Sequence, residues 1–255
     1  ELINVLSPIA EKNGETKLGP LMHKTTLDVI GKVAFGKDLG SFKGESSPFA
    51  SAIFGLLEIL NATIQDPTLK FPIRGRHLKK RLGEIMDFLH GTAKEWLKER
   101  KEAIARGDYV PDDILTHMIK LQDSTDAVTD DIMLDDFVTF FIAGQETTAN
   151  TTSFMLLETG RHPEIYKRMQ EEVDEVVGKK SHISFEDVAK LEYMSLVWKE
   201  TLRMYAIVPV SFRDIDRDNY KIQGYDIPRD SIVMMSSFLA SRNPNLIHDP
   251  LLFKP

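Results

Sequence analysis

Cysteine is absent from this 255-residue sequence. That excludes a disulfide, a thiol nucleophile and any thiolate metal ligand supplied by these residues. A basic surplus is absent too: 32 Lys and Arg stand against 39 Asp and Glu, a formal net charge of -7. Nothing global therefore suggests a nucleic-acid partner, and none is expected. No window holds about 18 uninterrupted apolar residues, so no membrane-spanning helix is expected within the sequence. No secretory or transit peptide is visible. The seven histidines lack metal-ligand spacing, and neither His162 nor His248 reads as a ligand, so no metal site is expected within the chain. What remains is an ordinary globular composition, 42% hydrophobic and 28% charged.

Helical periodicity dominates. Lys24 to Ala34 repeats apolar residues at helix spacing and stops near Gly36. Pro48 to Leu60 is a second helix, and Asn61 to Arg76, broken by Pro67 and Pro72, reads as a connection. His77 to Arg106 keeps one apolar face through Leu82, Leu89, Ala93 and Trp96, and Gly107 closes it. A short helix spans Asp112 to Gln122. The next begins in a crowd of aspartates and ends where Gly160 precedes Pro163, about residues 131–161. It would be roughly 45 Å long at 1.5 Å per residue, enough to cross a whole core. Pro163 opens a helix to Val177, Ser184 and Asp187 form a capping arrangement, and about 194–205 is helical again. Beyond it, a hairpin turns at Gln223-Gly224 and Ser231 to Phe238 reads as a strand, together about 218–238. The expected fold is mainly α with a small β-sheet, in a single domain over 1–255. The start at Glu1 and the end at Phe253-Lys254-Pro255 lead us to expect a piece of a longer protein.

Four places could carry chemistry. Ala143-Gly144-Gln145-Glu146-Thr147-Thr148 puts a carboxylate and a hydroxyl side by side in a long helix, next to a glycine that lets another group approach the backbone. The hydroxyl can bond the carbonyl one turn back. This suits a groove for a flat ligand with an acid–alcohol pair for moving protons, and equally a helix packed tightly through small residues. Glu200 and Arg203 share a helix face among Leu196, Val197, Trp198 and Leu202. Glu158 and Arg161 repeat the spacing at a helix end, so Glu-x-x-Arg alone does not separate a core network from a surface pair. Arg213 could bind a carboxylate, although a salt bridge to Asp214 or Asp216 is the simpler local reading. The basic run Arg74, Arg76, Lys79, Lys80, Arg81 could face anionic lipid or be a solvated helix start.

The order of these pieces is more informative than any one of them. Ala-Gly-x-Glu-Thr-Thr at 143–148, Lys-Glu-Thr-Leu-Arg-Met-Tyr at 199–205, a hairpin, and Asp249-Pro250-Leu-Leu-Phe253-Lys-Pro255 together resemble the cytochrome P450 monooxygenases. The resemblance covers essentially the whole chain, as the central part of that fold, incomplete. Asp113-Ile-Leu-Thr, Asp136-Phe-Val-Thr-Phe-Phe-Ile-Ala-Gly, Glu172-Val-Asp-Glu-Val-Val-Gly and Phe185-Glu-Asp-Val are similar to the cholesterol 24-hydroxylase branch.

The resemblance implies roles. Helix 131–161 would be the oxygen-activating helix, with Ala143 and Gly144 bordering haem b (iron protoporphyrin). Glu146 and Thr147 would be catalytic, managing proton delivery. Glu200 and Arg203 would be a structural core motif, whose usual third partner is an arginine beyond Phe253-Lys-Pro255. Arg213 would bind a haem propionate. Phe137, Phe140, Phe141, Val208, Pro209 and Val210 would line the substrate cavity. The activity implied is insertion of one oxygen atom from O2 into a lipophilic substrate such as a sterol, with electrons from NADPH through a reductase. The setting implied is the cytoplasmic face of the endoplasmic reticulum membrane, touched near 61–81. Two departures stand out: Ala206-Ile-Val separates Tyr205 from Pro209, where relatives often place proline at once, and the axial cysteine is absent. A chain without it is expected to be inactive by itself. The rival reading is a haemless helical protein that binds lipid or a partner.

Overall fold

The computed structural model describes residues 1–43, 47–125 and 128–255. The order begins with α1 (Leu2–Glu11), α2 (Leu18–Phe35), α3 (Pro48–Gln65), a 3-10 turn (Pro67–Lys70), α4 (Arg76–Arg106) and α5 (Ile114–Ser124). The 32-residue α6 (Asp130–Arg161) follows, as the aspartate crowd and the Gly160–Pro163 stop predict. Then come α7 (Pro163–Val176), α8 (Phe185–Ala189), α9 (Glu192–Tyr205), strands β1 (Ser211–Asp214), β2 (Tyr220–Ile222), β3 (Tyr225–Ile227) and β4 (Ile232–Met235), and α10 (Ser237–Ala240). Helix accounts for most of the chain, and the small sheet of the expectation is two antiparallel ladders, β1 with β4 and β2 with β3. The contacts divide the chain after Ala149, within α6, into units 1–149 and 150–255.

Unit one is built on α2 to α6. Its centre is aromatic: Phe35 stacks on Phe141 at 4.5 Å, meets Phe137 edge-on at 4.7 Å, and Trp96 meets Phe137 at 5.4 Å. Phe35, Phe137 and Phe141 have no exposed surface. Met133, Leu134, Phe137, Val138 and Phe141 form the buried stripe of α6, at helix spacing. By length and composition α3 alone among the described helices could cross a membrane, and its buried residues, Phe49, Ile53 and Leu57 among them, pack in the core of unit one. It runs five residues past the predicted Leu60, because its first breaker is Pro67. The sequence reading passed over α1, which carries Pro8 inside it and buries no side chain.

A buried ion pair locks this unit. Arg100 of α4 is 9% exposed and makes a forked contact with Asp113, Nη1 to Oδ1 at 2.6 Å and Nη2 to Oδ2 at 3.0 Å. Its fork also donates to Thr116 Oγ1 at 2.5 Å and to the Phe35 carbonyl at 3.1 Å. Asp113 in turn caps α5, accepting from the Thr116 N–H at 2.9 Å. These bonds hold the Asp113 carboxyl below its usual range against the opposing effect of burial, the largest single influence on it. Gly36 ends α2 at φ 64, and a Cβ there would lie 2.9 Å from Arg100 Nη2. Only glycine suits both the turn and the guanidinium.

In unit two, Ser184 and Asp187 form the expected capping box: Ser184 Oγ accepts from the Asp187 N–H at 3.2 Å, and Asp187 Oδ2 from the Ser184 N–H at 3.1 Å. The hairpin turns at Gln223 (φ 49) and Gly224 (φ 88), as read. The predicted strand 231–238 is shorter. Ser236 Oγ accepts from the Leu239 N–H at 3.2 Å and starts α10 instead. Strand β1 was not predicted. It pairs with β4 in the register Ser211↔Met235 to Asp214↔Ile232, a partner distant in sequence.

Replacing Arg100 with alanine strands the Asp113 carboxylate and the Phe35 carbonyl in the interior. A loss of about 3–5 kcal/mol is expected from urea denaturation. Lys98→Ala, which removes an exposed pair with Glu102, should cost under about 1 kcal/mol.

Candidate active site

The middle of α6 divides into a packed face and an open one. Gly144 belongs to the packed face: a Cβ there would lie 2.8 Å from Ile30 Cδ1. The close approach that its missing side chain permits is taken by α2, which corrects the expectation of a bare groove at this residue. The open face carries Phe140, 40% exposed, then Ala143, exposed, and Thr147, half-buried. Positions 140, 143 and 147 follow helix spacing, so they form one stripe. Thr147 Oγ1 donates to the Ala143 carbonyl at 2.8 Å, the back-bond anticipated from its position. A second carbonyl of the stretch also takes a side-chain donor: Thr26 Oγ1 of α2 donates to Gln145 O at 3.0 Å. Two carbonyls of this stretch, Ala143 O and Gln145 O, thus accept side-chain hydroxyls, one from a turn ahead on α6 and one from α2.

Glu146 lies beside His23 of α2, Oε2 to Nδ1 at 3.3 Å. Both line a cavity of about 430 Å³ with Pro20, Phe54, Leu57 and Glu58. Gln145 is wholly buried, and its Nε2 lies 2.8 Å from the same His23 Nδ1. His23, Thr26 and Ile30 form the α2 face that meets α6 here. Sequence reasoning missed His23, which lies 122 positions from Gln145. The available signal was polarity: His23 and Thr26 interrupt the apolar face of α2.

The residues expected to line a substrate cavity fall in different environments. Phe137 and Phe141 pack in the aromatic core with no accessible surface, and Phe140 alone of the three is open. Their α6 positions are one helical turn apart, so both point into the same core. Val208 is 61% exposed, Pro209 is exposed and Val210 half-buried. The start of α10 fixes that segment, through Ser237 Oγ to Val208 O at 2.7 Å and the Phe238 N–H to Pro209 O at 3.3 Å. Arg213 is exposed on β1, and Nη1 donates to its neighbour's carbonyl, Phe212 O, at 2.8 Å. Among the described residues no ion pair joins it to Asp214 or Asp216, contrary to the simpler local reading.

Glu200 and Arg203 make a forked pair, Nε to Oε2 at 2.7 Å and Nη2 to Oε1 at 2.8 Å. The guanidinium also donates to the carbonyls of Ser241 (3.1 Å), Pro250 (2.7 Å) and Leu252 (2.9 Å). All five guanidinium N–H donors are therefore used. Glu200 Oε1 accepts the Lys254 N–H at 2.7 Å. The side chains are 17% and 12% exposed, so this is the core network and not the surface pair. Glu158 corrects the sequence reading: it is 5% exposed, although its partner Arg161 is 60% exposed. Tyr205 Oη donates to Glu158 Oε1, and Tyr205 stacks on Phe154 at 4.0 Å. Burial, with the Glu158 bond, pushes the Tyr205 phenol up to about 12. Among the described residues no cluster of His, Asp and Glu could hold a metal ion.

The cytochrome P450 family model matches residues 1–255, and the chain belongs to that family. It is 28% identical to cytochrome P450 71A8 of Mentha piperita over 98% of this chain and 51% of that protein. It is 27% identical to geranylhydroquinone 3''-hydroxylase of Arnebia euchroma, over 100% and 53%. It is 28% identical to cytochrome P450 3A9 of Rattus norvegicus, over 96% and 50%. The chain spans about half the length of the curated relatives it matches.

Arg203→Ala leaves Glu200 and three carbonyls unanswered. It should speed amide exchange in 192–205 and 241–254 and destabilise the unit by about 3–5 kcal/mol. Arg203→Lys keeps the charge but not the fork, and should recover only part of the protection. Unchanged exchange in both variants would deny the hub its structural role.

Proposed function

We propose that this chain is the oxygen-activating part of a haem-dependent monooxygenase. The observation that carries the reading is one stripe of α6, where exposed Ala143 and half-buried Thr147 share a face and Glu146 borders a cavity. The short Ala143 side chain leaves room beside that stripe for a flat group; in the second unit, taken by itself, Arg213 is exposed with no ion pair among the described residues, and its guanidinium would suit an anionic propionate. The α6 stripe would suit one face of a flat group such as haem. The axial thiolate of the family cannot come from these 255 residues, which hold no cysteine. Haem, when bound, supplies the oxidation, and the protein supplies binding, orientation and proton control. Glu146 takes up a proton from the cavity side, and Thr147 passes it along the open face. The Thr147 hydroxyl is aimed by its bond to Ala143 O, which fixes its rotamer. Gly144 serves this site at one remove, by letting α2 pack close and hold α6 in place.

The substrate we propose is lipophilic, and cholesterol is the first sterol to try, because four motifs of the chain resemble the cholesterol 24-hydroxylase branch. The names of the relatives above do not include a sterol enzyme, so this part of the reading rests on those motifs alone. Electrons would come from NADPH through a reductase. A membrane surface, with the endoplasmic reticulum as its site, is supported by the end of α3 and the segment after it. There Ile64 and Phe71 are each 67% exposed and Ile73 is 94% exposed, beside Arg74, Arg76, Lys79 and Lys80. Exposed apolar groups next to basic ones suit the boundary of an anionic bilayer.

The test uses the complete reading frame. Its reduced carbon-monoxide difference spectrum should show a thiolate-type band, and a protein without one is not this enzyme. Thr147→Ala should release more peroxide per NADPH consumed at the expense of product. Coupling equal to wild type would remove Thr147 from the proton path.

A further inference from the structure

We propose that His23 is a positioning residue for Glu146, holding or releasing the carboxylate according to the proton on its Nδ1. The inference rests on the reading that Glu146 and Thr147 carry protons. It starts from a conflict at one atom. His23 Nδ1 is 3.3 Å from Glu146 Oε2 and 2.8 Å from Gln145 Nε2. A neutral ring with its lone pair on Nδ1 accepts from the Gln145 amide and has nothing there to offer the carboxylate. A ring protonated on Nδ1 donates to Glu146, and can no longer accept from the amide. The two partners therefore compete for one nitrogen.

Gln145 carries the mark of that competition. It is 0% exposed, and its Oε1 is buried with no hydrogen-bond partner among the described residues. An orphaned buried carbonyl oxygen is costly, and a half-turn of the amide exchanges its oxygen and nitrogen. After the turn, Oε1 faces the ring and accepts from Nδ1–H. The turn gives up the 3.3 Å bond from Nε2 to the His23 carbonyl, so neither arrangement answers every group. Two arrangements that each leave something unanswered suit a site that moves between them.

Solvent reaches both the ring and the carboxylate. His23 and Glu146 side chains are 23% and 31% exposed, on the cavity wall. The other charged groups on that wall are Lys24 of α2 and Glu58 of α3, and Glu58 is held by Arg81 of α4 at 2.9 Å. Glu146 is thus the acid that meets the ring directly. Histidine is the side chain suited to a change of protonation near neutral pH.

The experiment uses the complete holoenzyme with His23→Leu and His23→Lys, each checked by its ferric spectrum and thermal midpoint. Peroxide per NADPH is measured between about pH 5 and 8. Wild type should show a pH-dependent step. His23→Leu should abolish the step and raise peroxide up to about fivefold, the scale of a part-exposed ion pair. His23→Lys, a permanent cation, should restore coupling without the step. A separate readout is the side-chain amide resonance of Gln145, which should move with pH in wild type and stay fixed in His23→Leu. A His23→Leu enzyme with wild-type coupling and pH profile overturns the inference. If Thr147→Ala uncouples while His23→Leu does not, only this inference fails. If Thr147→Ala changes nothing, the proton-path reading fails with it.

Discussion

A guanidinium taken out of water must have its N–H groups answered, and each unit of this chain is organised about one that is. Arg100 draws together the end of α2, the start of α5 and the body of α4 through Phe35 O, Asp113 and Thr116. Arg203 joins α9 to three carbonyls between Ser241 and Leu252, segments with little regular structure of their own. Without a planar donor the carbonyls would need water, and the loop would have no reason to hold its path. Both arginines are forked onto a carboxylate, which cancels the charge, and spend their other donors on main chain or hydroxyl. A buried pair of this kind is weak evidence of net stability. It is stronger evidence of a specified geometry, because only one placement of the surrounding carbonyls satisfies the fork.

The long α6 meets two demands with one helical period. Its buried stripe from Met133 to Phe141 is ordinary core packing, and the aromatic cluster fixes the rotation of the helix. That rotation decides which residues of 143–148 are open. Ala143 and Thr147 face outward because Phe137 and Phe141 face inward, two facts joined by the helical repeat. Ile30 against Gly144 and Thr26 on Gln145 O then fix how closely α2 approaches. The site is thus positioned by packing that contains none of its chemistry.

Much of this was legible. Helix ends marked by Gly36, Gly107 and the Ser184–Asp187 box fell close to where turn chemistry and capping put them, because those signals are local. The family, too, was legible from spaced motifs. The misses are non-local. Strand β1 was invisible because four residues have meaning as a strand only beside β4. Phe137 and Phe141 were assigned to a cavity because resemblance gives a position in the family and not the neighbours that fill the space around it. At Gly144 the residues allow either a groove or tight packing, and the methyl group that decides for packing comes from Ile30, on a helix more than a hundred residues earlier. His23 marks itself only as a polar break in the apolar face of α2, and only the fold sets it beside Glu146.

The repeated Glu-x-x-Arg pattern shows where spacing ceases to inform. Both glutamates are largely withdrawn from solvent, Glu158 at 5% exposed and the Glu200 side chain at 12%, so the acids do not separate the two pairs; the arginines do. Arg161 is 60% exposed and donates through Nη1 to Glu158 at 2.9 Å, whereas Arg203 is 17% exposed and uses every donor. Glu158 instead finds its interior partner in Tyr205, two residues beyond Arg203 on α9. The last turn of α9 therefore serves both glutamates: Arg203 carries Glu200 and the 241–252 carbonyls, and Tyr205 reaches the end of α6. Ala206 then leaves the helix with φ 39, a left-handed turn that a Cβ disfavours. The chain accepts that strain where Arg203 and Tyr205 have fixed the helix end on both sides, and it turns there toward Val208 and β1. A tyrosine at this position has two duties, stacking on Phe154 and donating to Glu158, and phenylalanine could perform only the first.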